Sequence, residues 1–262
     1  MLKEVMDLEA RIGIIDIETK PVTAYVWGLW KQNVGLNQIV EDWGILTYSF
    51  KWLGEEEVYW DSTENDEDEG RLLTGLWALL DEADIVVAHN GDRFDVPKIN
   101  AKLLEYDIEP YSPLKKIDTL KVVKSNFNLT SNKLDYVSQY LGFEGKMEHE
   151  GFALWQGCMD GDPDCWSRMV EYNIQDVLEL ENVYVKIRPW ITNHPNVGLY
   201  DDKDNTVCPK CGGTHIHFRG YAYTGVSKFR RFQCQECGGW GRLAVNELSK
   251  EKRGGLARNV AK

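Results

Sequence analysis

Two carboxylates interrupt an otherwise apolar segment near the N-terminus. Residues 11–19 contain a β-branched run typical of a buried central strand, supplied by Ile12, Ile14, Ile15 and Ile17. Asp16 and Glu18 stand two residues apart in this run, and side chains two apart on a strand point to the same face. Desolvating two like charges together is costly unless a cation neutralises them. The pair therefore predicts a site for Mg²⁺ or Mn²⁺ with oxygen ligands, the alternative being that one acid is a turn residue past the strand end.

A second acidic candidate follows the short apolar run at residues 85–88, which is typical of a buried parallel strand. Asn90 and Gly91 predict a turn, and Pro97 suits the first turn of the next helix. Asp95 would then begin that helix just beyond the C-terminal edge of the strand, where α/β proteins place their sites. Position favours Asp95 over Asp92 as a ligand, although a helix N-cap is the simpler role for it.

The third candidate lies on a helix predicted from about residue 164 to 186. Its inward stripe consists of Trp166, Met169, Val170, Ile174, Val177 and Val183. Tyr172 and Asp176 are four residues apart, so their polar ends lie close together on one helical face. A Tyr–Asp pair on a helix is usually a packing residue and a surface acid, but here it completes a set of four acids and a tyrosine. Asp118 is predicted to cap a helix, with a supporting role near the site as the alternative.

Four of the six cysteines form two Cys-x-x-Cys pairs. Cys208, Cys211, Cys234 and Cys237 have the spacing of a structural zinc site with four thiolate ligands. Disulfide pairing is the alternative, and the expected cytoplasmic setting argues against it. One Zn²⁺ would hold a small fold together without taking part in chemistry. Cys158 and Cys165 are predicted to be free thiols.

The charge is divided unevenly along the chain. Residues 205–262 carry a net charge of +8, which leaves −20 for residues 1–204 out of a total of −12. We therefore expect two units with different roles and a basic, flexible tail, with boundaries at 1–200, 201–245 and 246–262. With 43% hydrophobic and 27% charged residues and no signal peptide or membrane span, the sequence predicts a cytoplasmic protein without membrane contact.

The order of elements predicts the fold class. Residues 45–52 and 57–60 suggest an antiparallel hairpin, leucines at helical spacing follow within residues 72–80, and residues 131–141 suggest a capped helix ending at Gly142. An opening of three strands, a helix and a strand fits a ribonuclease H-like α/β fold, with a mixed central sheet flanked by helices. A small C-terminal β zinc ribbon would follow it.

The three acidic motifs, Asp-Ile-Glu-Thr (16–19), Asn-Gly-Asp-Arg-Phe-Asp-Val-Pro (90–97) and Tyr-Asn-Ile-Gln-Asp (172–176), resemble those of the DEDD superfamily of 3′–5′ exonucleases. The likeness is to its Tyr-containing branch, which includes the proofreading domain of family B DNA polymerases. The resemblance implies that the metal ligands are Asp16, Glu18, Asp95 and Asp176, since the acid of the family's second motif follows the Phe and this selects Asp95 over Asp92. Tyr172 matches the family's tyrosine, and Glu171 stands where the His-containing branch has its histidine. No polymerase region follows, which suggests a stand-alone nuclease of phage or bacterial type.

The expected activity is hydrolysis of phosphodiester bonds from the 3′ end with two Mg²⁺ or Mn²⁺ ions. Tyr172 would orient the attacking water, because its ordinary pKa of about 10 makes it a poor base. Single-stranded DNA is the favoured substrate, with RNA as the alternative, and we expect a monomer. Stacking on an unpaired base is one use of Trp27, Trp30 and Trp43, whereas core packing is expected for most of them.

The predicted ribbon also resembles the zinc ribbons near the N-termini of some transposases. Lys228, Phe229, Arg230 and Arg231 predict a surface that binds phosphates and stacks on bases, so the ribbon and tail would recruit nucleic acid to the acidic body. Two alternatives stay open. One is a ribonuclease H-like endonuclease, resolvase or transposase, and the other is a non-catalytic protein that binds nucleic acid through its ribbon.

Overall fold

The computed structural model describes residues 10–64, 69–143, 151–201 and 205–258. They group into two compact units, of which one is Arg11–Val185 and the other consists of Ala10 and the described residues from Lys186 onward. This division falls within the last turn of a long helix, whereas the sequence prediction set the domain boundary at residue 200. The sequence also predicts a loop or a helix N-terminus in the acidic stretch 64–69, most of which lies outside the described residues.

The first unit is built around a five-stranded sheet. The strands of the first unit, in chain order, are β1 (Ile12–Lys20), β2 (Thr23–Ala24), β3 (Ile39–Glu41), β4 (Gly44–Trp52), β5 (Val58–Ser62), β6 (Ile85–Ala88) and β7 (Lys115–Asp118). Its helices are α1 (Glu69–Glu82), α2 (Asp95–Glu105), α3 (Thr119–Asn126), α4 (Leu134–Tyr140), α5 (Phe152–Met159) and α6 (Pro163–Ile187). The sheet order is β5-β4-β1-β6-β7, and β2 and β3 form a separate small sheet.

The central position of β1 follows from its composition. It pairs antiparallel with β4 and parallel with β6, so the sheet is mixed, as predicted. Its isoleucines are almost completely buried, as expected for a strand covered on both faces. Gly13 permits this packing, because a Cβ atom there would lie 2.2 Å from Cζ of the buried Phe50. These features agree with the mixed central sheet that the sequence predicts.

Most predicted elements are present, with one shift. The hairpin is β4 and β5, which turns at Gly54 with a φ of 83°, and the long helix α6 spans the predicted range. The helix expected from Ser131 begins instead at Leu134, because Lys133 is its N-cap residue and Ser131 Oγ accepts a hydrogen bond from Lys133 N. Thus α4 is shorter than predicted.

The segment between β1 and β4, residues 21–43, is called here the β2–β3 excursion. Trp27 and Trp30 in this segment are 98% and 83% exposed, so the expectation that they pack in the core is wrong. Trp43 does pack partly against the core, and Lys98 Nζ lies 3.7 Å from the centre of its ring.

The second unit contains a three-stranded antiparallel sheet in the order β10-β9-β8, formed by β8 (Ile216–Thr224), β9 (Ser227–Cys234) and β10 (Trp240–Asn246). In the region predicted to be a flexible tail, a short helix, α7, spans Lys250–Gly254. Within the described part of the chain, no helix combines the length and the apolar character needed to cross a membrane.

Candidate functional site

Strand β1 and helix α6 bring three carboxylates together. Asp16 and Glu18 project from β1, and Asp176 projects from α6. One carboxylate oxygen of each residue lies within 4.8 Å of those of the other two. Asp176 is only 4% exposed, and the two strand acids are half-buried. Two elements far apart in the sequence therefore form one acidic site.

The donor set of this acidic site fits a divalent cation. Three negative charges confined to such a space repel each other strongly, and partial burial leaves little water to screen them. Carboxylate oxygens are the ligands that Mg²⁺ and Mn²⁺ prefer. On one Mg²⁺ with bonds of about 2.1 Å, ligand oxygens lie about 3 to 4 Å apart, so small side-chain rotations are sufficient.

Asp95 lies beside the three acids but is not a member of their 4.8 Å group. It is the first residue of α2, it is 2% exposed, and its Oδ1 accepts a hydrogen bond of 3.2 Å from the backbone N–H of Ile17. Ile17 separates Asp16 from Glu18, so this bond ties α2 to the strand at the site. Burial raises the pKa of Asp95 to about 7, the two backbone hydrogen bonds oppose the rise, and the charge of Asp118 adds to it. Its role as a metal ligand stays a prediction.

The neighbouring acids have other partners. Asp92 forms ion pairs with Lys116 and Lys121 at 3.3 and 2.5 Å. Asp118 caps α3 as predicted, because its Oδ1 accepts hydrogen bonds from the backbone N–H groups of Lys121 and Asn90. Asp92 is thus paired with lysines, and the choice of Asp95 rather than Asp92 as a ligand stays a prediction.

Tyr172 is a buried hydrogen-bond donor to this acidic site. Its side chain is 5% exposed, and its ring packs edge-on against Trp155 with the ring centres 6.0 Å apart. Burial is the main cause that raises the pKa of Tyr172 far above its usual range. The negative charges of Asp176, Glu18 and Asp16 and a hydrogen bond to Asp176 raise this pKa further. The hydroxyl thus stays protonated near all three acids.

Asn173 is a site residue that the sequence interpretation missed. It is fully buried, and its Nδ2 donates a hydrogen bond of 2.7 Å to Oδ2 of Asp16. This residue lies inside the third motif, but no role was given to it. A signal was present in the sequence, because this amide lies between Tyr172 and Asp176 on the inward side of the predicted helix. A buried amide needs a polar partner, which predicts a hydrogen bond to a neighbouring element.

The four cysteines of the second unit also converge. Their sulfur atoms lie within 4.8 Å of one another, and the Cys208–Cys237 and Cys211–Cys234 pairs are each 3.7 Å apart. Four thiolates around Zn²⁺ with bonds of about 2.3 Å give a tetrahedral edge of about 3.8 Å, so the spacing fits zinc. The six cysteines, all of which lie in the described part of the chain, form no disulfide bond.

The two Cys-x-x-Cys turns have matching geometry. Gly212 and Gly238 directly follow the second cysteine of each turn with φ of 73° and 77°, and each donates its N–H to the carbonyl of the first cysteine. A hydrogen bond from Cys211 is the main cause that lowers the pKa of Cys208 to about 5, which favours the thiolate that a metal binds.

The three strands of the second unit carry cations and aromatic rings and contain no acidic residue. Arg219 and Arg231 lie over Trp240, with 5.5 and 4.8 Å between guanidinium carbon and ring centre, and Arg230 lies over Phe218 at 4.5 Å. Lys228 covers Tyr221 at 3.7 Å. The predicted cations therefore lie on the sheet beside exposed rings.

Phe229 requires a correction. Its side chain is only 9% exposed, and the guanidinium of Arg242 lies 3.8 Å from its ring centre, so the ring is not offered to a base. The exposed rings of this sheet are those of Phe218, Tyr221, Tyr223 and Trp240, at 39%, 38%, 71% and 44%. Alternation along β9 was not enough to predict this, because the pairing of β9 shifts register on both sides.

Comparison with known proteins supports the fold. No curated protein matches the chain. Among solved structures, the family B DNA polymerase from the hyperthermophilic archaeon Pyrobaculum calidifontis aligns with a TM-score of 0.50 and 15% identity. The alignment covers 68% of this chain and 25% of the polymerase, so the likeness concerns the fold alone and spans a quarter of that protein.

The family comparison covers the unit that holds the acids. The sequence model of the RNase_H superfamily matches residues 14–188, which is more than half of the chain and runs from the strand with Asp16 and Glu18 through the helix with Asp176. Together with the mixed sheet centred on β1, this match shows that the chain belongs to the RNase H superfamily.

Proposed function

We propose that this protein is a metal-dependent 3′–5′ exonuclease that hydrolyses phosphodiester bonds of single-stranded nucleic acid, with DNA as the favoured substrate. The observation that carries the proposal is the convergence of Asp16, Glu18 and Asp176 within 4.8 Å, beside the protonated hydroxyl of Tyr172. The 3′–5′ polarity and the Tyr-containing class rest on the three sequence motifs. Family membership supports the broader assignment as a nuclease.

Each residue has a role that follows from its position. Asp16, Glu18 and Asp176 would hold the divalent ions, and Asp95 would complete the set. Bound divalent ions supply a nucleophile at neutral pH and neutralise the charge that develops on the phosphoryl oxygens. Tyr172 keeps its proton and would orient the attacking water through its hydroxyl.

The reaction adds water at phosphorus and breaks the bond between phosphorus and the 3′ oxygen. The departing oxygen takes up a proton, so the products are a nucleoside 5′-monophosphate and a chain shortened by one nucleotide with a free 3′ hydroxyl. Asn173 would keep the Asp16 carboxylate oriented throughout, because its Nδ2 is bonded to Oδ2. Hydrogen bonds of this kind fix the ligand geometry that the reaction requires.

The zinc ribbon is proposed to recruit nucleic acid. The acidic body repels a polyanion, whereas β8, β9 and β10 carry five Lys/Arg and no acid. Zn²⁺ bound by the four cysteines would stabilise this sheet without taking part in hydrolysis.

The test is a time course on a 5′-labelled single-stranded DNA oligonucleotide with Mg²⁺ or Mn²⁺. We expect a ladder that shortens from the 3′ end, abolished by Asp16→Ala and retained by the control Asp92→Ala, because Asp92 is bound to lysines outside the acidic site. Internal cuts would favour the endonuclease alternative. If neither DNA nor a matching RNA is cleaved, the protein is better described as a nucleic-acid-binding protein.

A further inference from the structure

The β2–β3 excursion exposes an unusual amount of apolar surface. Tyr25, Trp27 and Trp30 are 76%, 98% and 83% exposed, and Leu29 and Leu36 are 88% and 89% exposed. Single exposed apolar residues are common, but large ones concentrated in one short segment mark an interaction site. The excursion lies entirely within the first unit.

The excursion is held in a defined conformation by its own contacts. Lys20 and Glu41 form an ion pair at its base, and β2 pairs with β3. Gln38 bridges the loop, since its Nε2 donates to the Tyr25 carbonyl at 2.8 Å and its Oε1 accepts from Gly35 N at 2.8 Å. These bonds reduce the entropy that would be lost when a partner orders the segment.

The excursion is poor in charged residues. Its acids are Glu41 and Asp42 at its C-terminal end, and residues 19–40 contain no Asp or Glu, although the chain has 42 acids and residues 1–204 carry a net charge of −20. The cations in this stretch are Lys20 and Lys31, and the remaining polar side chains are mainly amides and hydroxyls. Binding to a lipid surface relies on clusters of Lys and Arg, which this segment lacks. Aromatic rings with few charges suit unpaired bases, because every base offers a face for stacking.

The location connects this surface with the acidic site. The excursion begins directly after β1, and Lys20 at its base is two residues beyond Glu18. It therefore leaves the sheet at the end of the strand that carries the carboxylates. For a single strand whose 3′ terminus enters the acidic site, we expect the nucleotides on the 5′ side of that terminus to approach this segment.

We propose that Trp27 and Trp30 form a stacking platform for unpaired bases of the substrate strand. The choice of single-stranded nucleic acid rests on the proposed function, but base stacking is a binding event and can be measured without catalysis. Stacking on one aromatic ring contributes about tenfold to affinity. If both rings stack on the same strand, their two tenfold contributions multiply. Loss of both rings should therefore weaken binding by about a hundredfold at most.

The experiment measures binding of a labelled single-stranded oligonucleotide to the full chain by fluorescence anisotropy, without divalent metal so that no cleavage occurs. The variant is Trp27→Ala/Trp30→Ala, and Trp27→Phe/Trp30→Phe keeps two rings for stacking. Trp60→Ala is the matched control, because Trp60 is 50% exposed on β5, outside the excursion. Replacing exposed side chains leaves the core unchanged.

We expect the double alanine variant to lose tenfold or more in affinity and the phenylalanine variant and the control to stay within threefold of wild type. The loss should vanish on an oligonucleotide whose sugars lack bases, because phosphates alone cannot stack. Equal affinities for all proteins would overturn the proposal, as would a loss of self-association or of vesicle binding without any change in oligonucleotide binding. Base-dependent binding without cleavage would refute only the exonuclease assignment, whereas cleavage with unchanged binding would refute only the platform.

Discussion

Replacing Asn173 with leucine tests whether the acidic site depends on a residue outside the four predicted ligands. The amide Nδ2 lies 2.7 Å from Oδ2 of Asp16, and the side chain is fully buried, so water cannot replace the lost donor. A hydrogen bond to a charged group contributes about 1.5 to 3 kcal/mol. Loss of a partner that orients a ligand lowers metal affinity by about 10- to 100-fold, which agrees with that energy.

The measurement is Mn²⁺ binding to the protein without nucleic acid, by calorimetry or by the electron paramagnetic resonance signal of free Mn²⁺. Gln175→Leu is the control, because Gln175 is on the same helix and its Nε2 contacts Glu179 at 3.5 Å. We expect the Mn²⁺ affinity of Asn173→Leu to fall by at least tenfold and that of the control to stay within twofold. Unchanged or tighter binding in a folded Asn173→Leu variant would refute the orienting role.

Two further predictions concern packing and the ribbon. Lys102→Met should lower the free energy of unfolding by about 3 kcal/mol, or about 6 to 12 °C in Tm, because it leaves the buried Glu69 carboxylate without its 2.9 Å partner. Lys98→Met removes a cation from the same Trp43 ring, and among the described residues Lys98 forms no ion pair, so this change should cost about 1 kcal/mol or less. Equal losses in thermal unfolding would contradict the ion-pair explanation. Arg231→Gln should keep its zinc, and the slope of log affinity for nucleic acid against log salt concentration should fall by about one. Cys234→Ser should lose its zinc in metal analysis and most of that slope. If neither variant changes the slope, the ribbon does not bind nucleic acid.

Much of the fold follows from apolar periodicity alone. The isoleucine run of β1 and the inward stripe of α6 are long and regular, so both elements were predicted within a few residues. The acids on them could be grouped from the sequence because two lie on one strand face and the third on one helical face. Periodicity does not predict that α6 lies beside β1. The motif resemblance implied it, because it assigns the acids of both elements to one site.

Other features depend on contacts that periodicity does not encode. Trp27 and Trp30 were expected in the core because large aromatic residues are usually buried. Both are exposed, because the short excursion has too few apolar residues of its own to cover them. Phe229 was expected at the surface beside two arginines, but its side chain is 9% exposed, in a strand whose pairing with both neighbours shifts register. Asn173 carried no distinctive spacing, since its partner Asp16 lies on another element.

The distribution of charge explains why the chain would need surfaces other than its acidic site to bind a polyanion. Three carboxylates within 4.8 Å, in a body with a net charge of −20, repel phosphates unless cations are bound. Two stretches contain no acid, residues 19–40 and the strands β8 to β10, and both are rich in aromatic residues. They differ in cations, with two in the first and five in the second. Counterion release makes binding by the ribbon depend steeply on salt, whereas stacking on the excursion depends on it weakly. Raising the salt concentration should therefore remove the ribbon's contribution first and leave the base-dependent part of binding in place.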